Sequence, residues 1–116
     1  MRSFWFAYAG LRYAFITQRN FRVHLAVAAI VVGCGVWLGL SPASWALLAV
    51  TIGAVLGAEL LNTAAEALVD LVSPDYHPLA KQVKDLTAAA VLIAALVAVA
   101  VGVFLLGPPL LNRMGF

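Results

Sequence analysis

Four side chains in one stretch have the types and spacing to do chemistry: Glu59, Asn62, Glu66 and Asp70. They are separated by three, four and four positions. At about 100° per residue, a helix gathers all four within about 80° of arc. Three carboxylates and a carboxamide then form one stripe. Lys84 and Asp85 follow after a short break. Hard oxygen ligands of this kind suit Mg²⁺, which commonly binds through one or two carboxylates plus phosphate oxygens. A lysine beside them suits a phosphate as a point charge. Glu59 is the carboxylate closest to a long apolar run, so it is placed to accept a proton from a hydroxyl. Together these parts describe phosphoryl transfer to an alcohol presented from an apolar phase.

The elements that must position this stripe belong to a membrane protein. The chain has 116 residues, one domain's length, read as a single unit over residues 1–116. Hydrophobic residues make up 65% and charged residues 10%. A soluble domain carries roughly 25% charged residues, so a water-soluble globule is excluded. No Asp, Glu, Lys or Arg lies between Arg22 and Glu59, or between Asp85 and Arg113. Each gap is long enough for a membrane span, which needs about 20 apolar residues. The single Cys34 has no partner for a disulfide within the chain and reads as a small packing residue. The seven basic residues are scattered, which argues against a nucleic-acid patch despite a net charge of +2. The first twenty residues are aromatic and basic and do not read as a cleavable leader.

The expected architecture is all-α, with three transmembrane helices and an N-terminal amphipathic helix in the membrane interface. Residues 1–20 form the surface helix, with Phe4, Trp5, Phe6, Tyr8, Tyr13 and Phe15 at the depth that aromatic rings favour. The first span covers 21–40, and Ser41-Pro42 ends it. The second covers 44–72, with Ser44 as its cap. The polar loop Ser73-Pro74-Asp75-Tyr76-His77-Pro78 leads to the third span, 79–107, which Gly107-Pro108-Pro109 closes. Three arginines precede the first span, Arg22 stands at its second position, and Lys81 and Lys84 follow the second span, so six of the seven basic residues share one side. That side is cytoplasmic by the positive-inside rule, which puts the C-terminus outside. Gly35 and Gly39, Gly53 and Gly57, and Ala88 to Ala90 provide small faces for close helix approach.

Each residue also has a plainer reading. Glu59 alone could be a packing group or the proton carrier of a small transporter. Glu66 and Asp70 could simply pair with Lys81 or Lys84. Asn62 could bridge helices, His77 could sit in a solvated turn, and Tyr76 could anchor at the interface. A transporter, however, does not need Asn62, Glu66, Lys84 and Asp85 gathered at one surface. A non-catalytic membrane subunit is the other alternative.

The run Glu59-Leu-Leu-Asn62-Thr-Ala-Ala-Glu66-Ala-Leu-Val-Asp70, then Tyr76-His77-Pro78-Leu79-Ala80-Lys81, then Lys84-Asp85, resembles the prokaryotic diacylglycerol kinase family. The likeness extends through Ser3-Phe4, Ala7, Gly10 and Asn20-Phe21-Arg22-Val23-His24, and so over nearly the whole chain. Neither a Walker A sequence nor a protein-kinase signature is present. The resemblance implies a homotrimer in the bacterial inner membrane, with active sites between subunits at the cytoplasmic surface. It implies an ATP- and Mg²⁺-dependent lipid kinase. Glu59 matches the family's general base and lipid contact, Glu66 a metal ligand, and Asn62 a support for metal and phosphates. Lys84 matches the phosphate-binding lysine, with Asp85 beside it. Asp75, Tyr76 and His77 match the loop that contacts ATP, Phe6 a nucleotide-adjacent aromatic, and Ala88 a position near the lipid substrate.

One position departs from the family pattern. Its second metal-binding carboxylate falls at Gln18, which offers a carbonyl oxygen but no charge. Among substrates, His77-Pro78-Leu79-Ala80-Lys81 and Asn20-Phe21-Arg22-Val23-His24 resemble the undecaprenol kinase branch more than the diacylglycerol branch. Diacylglycerol is the alternative.

Overall fold

The computed structural model describes residues 2–116, so Met1 of the expected surface helix lies outside the described residues. Four helices follow one another: α1 (Arg2–Thr17), α2 (Arg19–Leu38), α3 (Pro42–Val72) and α4 (Pro78–Arg113). No strand occurs among the described residues. Helices α2, α3 and α4 are long and apolar enough to cross a membrane. The 57 Å long dimension of the molecule fits the 36 residues of α4 at about 1.5 Å each.

Local chemistry sets each junction. Gln18 is extended (φ −111°, ψ 108°) and separates α1 from α2. The break therefore falls before Arg19 and not after Asn20. No proline or glycine makes it. Instead, Arg22 Nη1 donates to the carbonyls of Phe15 at 2.6 Å and Ile16 at 3.1 Å, so a cation closes the end of α1. Thr17 Oγ1 donates to the Tyr13 carbonyl at 2.7 Å. Helix α2 ends at Leu38 with Gly39 left-handed at φ 70°. The Gly39 amide bonds back to the Gly35 carbonyl at 3.0 Å. Ser41, not Ser44, caps α3: its Oγ accepts from the Ser44 amide at 3.2 Å, and Pro42 takes the first helical position. His77 caps α4 in the same way, with Nδ1 accepting from the Leu79 amide at 3.1 Å.

The expected stop at Gly107-Pro108-Pro109 is overturned. Helix α4 passes through both prolines to Arg113. Proline crowds the Cβ of the residue before it, and Gly107 has none. The missing amides of Pro108 and Pro109 forfeit two intrahelical bonds. Beyond them Arg113 is anchored: its Nη2 donates to the Trp37 carbonyl at 3.1 Å, and its guanidinium lies 4.8 Å from the Trp37 ring centre. The last turns of α4 are thus tied to the end of α2.

Helices α3 and α4 form the most extensive pairing, and α2 packs on both. Helix α1 touches α2 and α3. The buried interior is small: Ala14, Phe21, Leu48 and Val55, with Glu59 and Thr63 among them. No residue of α4 is buried. The fold thus positions a site on α3, flanked by α2 and α4, and leaves most apolar side chains facing outward.

Candidate active site

Helix α3 does place Glu59, Asn62, Glu66 and Asp70 along one stripe, and burial falls along it. Glu59 is 4% exposed, Asn62 and Glu66 are partly covered, and the Asp70 side chain is 67% exposed. The buried end meets α2: His24 Nε2 lies 3.1 Å from Glu59 Oε1. Thr63 Oγ1 donates to the Glu59 carbonyl at 2.9 Å, which satisfies the hydroxyl within the helix and leaves the carboxylate alone. In the middle, Asn62 Nδ2 donates to Glu66 Oε1 at 3.4 Å, while Asn62 Oδ1 is buried with no partner. The exposed end meets α4: Lys84 Nζ donates to Asp70 Oδ1 at 2.7 Å. Glu66 is within electrostatic range of Lys84 as well.

The other expected residues are placed as follows. Asp85 pairs with Lys81 at 2.6 Å, one turn away on α4. Asp75 and Tyr76 are exposed in the loop, whose Ser73 Oγ donates to the Asp75 carbonyl at 3.0 Å. The His77 ring nitrogen is engaged in capping α4. Phe6 is exposed on α1 and Ala88 is exposed on α4. Gln18 is not joined to Glu66. Its amide donates to Thr17 Oγ1 at 3.3 Å, in the break between α1 and α2. His24 is the site residue that sequence reasoning missed. Its signal was present: it is the one ionisable side chain of the first turns of an otherwise apolar span after Arg22.

The arrangement can hold a small, hard cation. Glu66 supplies a carboxylate, and Asn62, whose Nδ2 faces Glu66 Oε1, keeps an unpartnered carbonyl oxygen; both are oxygen donors of the type Mg²⁺ prefers. Among the described residues no three His, Cys, Asp or Glu side chains converge. Such a pair fits an ion that also needs oxygens from a phosphate ligand. Lys84, held only by an exposed carboxylate, is free to exchange that partner for a phosphate.

A helical bundle of three apolar spans, with a carboxylate–carboxamide stripe that meets a lysine at its exposed end, defines a multi-span membrane protein with a polar site at one end of the bundle. A family model described as prokaryotic diacylglycerol kinase matches residues 5–106. The chain is 51% identical over 113 residues to a diacylglycerol kinase of Synechocystis sp., covering 97% of this chain and 65% of that protein. It is 39% identical over 109 residues to an undecaprenol kinase of Bacillus subtilis, covering 94% and 89%. It is 38% identical over 96 residues to a diacylglycerol kinase of Escherichia coli K12, covering 81% and 77%. The chain belongs to the prokaryotic diacylglycerol kinase family, a family of membrane lipid kinases.

Proposed function

We propose that this chain transfers the γ-phosphate of ATP to a membrane lipid alcohol, with undecaprenol as the acceptor. The observation that carries the reading is the stripe itself. A carboxylate at 4% exposure lies on the same α3 face as the hydrogen-bonded Asn62–Glu66 pair and the exposed Asp70, which Lys84 of α4 meets. Buried charge of this kind is expensive in lipid and marks function.

In this reading Glu59 accepts the proton of the lipid hydroxyl as its oxygen attacks the γ-phosphorus. The new O–P bond forms, the bond from the γ-phosphorus to the bridging oxygen breaks, and ADP leaves. Mg²⁺, when bound at Glu66 and Asn62, neutralises charge on the phosphates. Lys84 leaves Asp70 for a phosphate oxygen, and Asp85 lies beside it at the nucleotide site. Asp75, Tyr76 and His77 line the nucleotide's approach, and Phe6 stands on α1 next to it. Gln18 stands where a second metal-binding carboxylate would be. Glu59 and Ala88 meet the lipid. The positive-inside rule puts the Ser73–His77 loop and the N-terminus in the cytoplasm of a bacterial inner membrane, with α1 in the interface. A homotrimer closes each site between subunits, because a single chain has too small a buried interior to enclose a nucleotide.

Diacylglycerol is the second reading, favoured by the names of the Synechocystis and E. coli relatives. Purified protein in lipid, given radiolabelled ATP and Mg²⁺, is offered undecaprenol or diacylglycerol. Label is expected in the undecaprenol arm at the higher kcat/KM. A higher value with diacylglycerol reverses the substrate assignment, and no label in either lipid overturns the kinase reading.

A further inference from the structure

The stripe explains Glu59, Asn62, Glu66, Asp70 and Lys84 but leaves His24 without a part. The geometry points to His24 as the positioning residue of the Glu59 carboxylate: contact across the α2–α3 interface at Oε1 fixes the carboxylate and leaves Oε2 for the acceptor hydroxyl. This inference rests on the reading of Glu59 as general base.

Three observations support it. First, Glu59 is 4% exposed, and a carboxylate taken out of water needs a specific polar partner. His24 Nε2, at 3.1 Å, is the polar side-chain atom paired with it. The hydroxyl of Thr63 is spent on the backbone carbonyl of Glu59 and does not orient the carboxylate. Second, the partner comes from another helix. A glutamate on α3 alone keeps several rotamers, whereas a contact from α2 selects among them. The α2 end carrying His24 is itself held, because Phe21 is buried and Arg22 ties back to α1. Third, His24 stands where the two parts of the molecule meet. Its ring lines the upper reach of an apolar groove formed with Val27, Leu48, Val55 and Val99, and its Nε2 reaches the charged stripe. A hydroxyl carried in from lipid meets the carboxylate at that junction.

A general base must be held close to its productive position, and a displacement of about 1 Å can lower the rate about 100-fold. The two ring nitrogens give a test by atom position. Glutamine places its amide nitrogen near the position of histidine Nε2, while asparagine places it near Nδ1. We expect His24→Ala and His24→Asn to lower kcat at saturating lipid and ATP at least tenfold, with both KM values within about twofold of the original. His24→Gln is expected to keep kcat within about threefold. Unchanged kcat in His24→Ala overturns the inference. So does a raised lipid KM at full kcat, which would make His24 a substrate contact. If His24→Ala does not fold, the Asn–Gln pair decides: equal kcat in those two variants overturns the inference. Failure of the unmodified protein to label any lipid rejects the kinase reading itself, and is distinct from all of these outcomes.

Discussion

Lys84 and Asp70 join α4 to α3 beside the loop, with Nζ 2.7 Å from Oδ1 across the helix pair. Both side chains are substantially exposed, at 41% and 67%. Exposed pairs add little to stability, which suits the proposal that Lys84 gives up Asp70 for a phosphate. Two substitutions separate the roles. Lys84→Ala removes the proposed phosphate ligand and should raise the KM for ATP at least about tenfold, as a lost charge-assisted contact does. Asp70→Asn releases the lysine and should leave the ATP KM equal to or below its original value. Neither should shift the melting temperature in detergent appreciably. Equal damage to ATP affinity from both variants would make the pair structural.

Glu59 is the least exposed ionisable group of the chain among the described residues. Glu59→Gln keeps shape and polarity but cannot take a proton. Transfer to lipid should fall by about 10²- to 10⁴-fold, the usual contribution of a general base. Nucleotide affinity should stay near its original value, because the proposed phosphate-binding residues, Glu66 and Lys84, lie toward the other end of the stripe. Steady-state kinetics alongside equilibrium binding of a non-hydrolysable nucleotide checks both statements. Unchanged turnover would remove Glu59 from the chemistry.

The spans and the stripe were legible in the sequence for the same reason. Long charge-free runs leave a chain few places to be except lipid, and residues three and four apart share a helix face whatever surrounds them. The pairing of His24 with Glu59 was not legible, because it depends on how α2 packs against α3 and not on any local spacing. The break at Gln18 was misplaced since its cause is tertiary. Arg22 reaches back to the Phe15 and Ile16 carbonyls, and no breaking residue marks the spot. The opposite error came at Pro108 and Pro109. There breaking residues were present, yet α4 continues, with Arg113 anchored on Trp37 beyond them. Ser44 reads as a cap because it precedes the apolar run, while Pro42 fixes the helix start earlier and gives that part to Ser41.

Gln18 occupies the extended residue between α1 and α2, with its amide turned to Thr17 Oγ1. In the proposed site a carboxylate there would add a charged oxygen ligand for metal. Gln18→Glu should therefore lower the Mg²⁺ concentration giving half-maximal rate, or raise kcat, or both. A Mg²⁺ titration of the transfer rate for the two proteins decides it. The helix break itself should survive, since Gln18 makes no side-chain cap to α2. Identical Mg²⁺ curves would mean that this position does not face the metal.

Gly35 tests the packing that holds α2 on α3. A Cβ there would lie 2.8 Å from Trp45 Cη2, closer than real side chains tolerate, and a tight 3.0 Å from Leu40 Cδ1. Two effects of Gly35→Ala oppose each other. Replacing a helical glycine, here in the last turn of α2, gains at most about 1 kcal/mol in helix propensity. Overpacking a close contact loses about 1–3 kcal/mol. The Trp45 ring is rigid and can yield only by moving as a whole, so the clash should win and the melting temperature in detergent should fall. Trp45→Phe removes the outer ring that causes the contact. In that background Gly35→Ala should become neutral or stabilising, since the remaining 3.0 Å contact is with the end of the Leu40 side chain, which can rotate aside. A fall of equal size in both backgrounds would place the cause elsewhere than the Gly35–Trp45 contact.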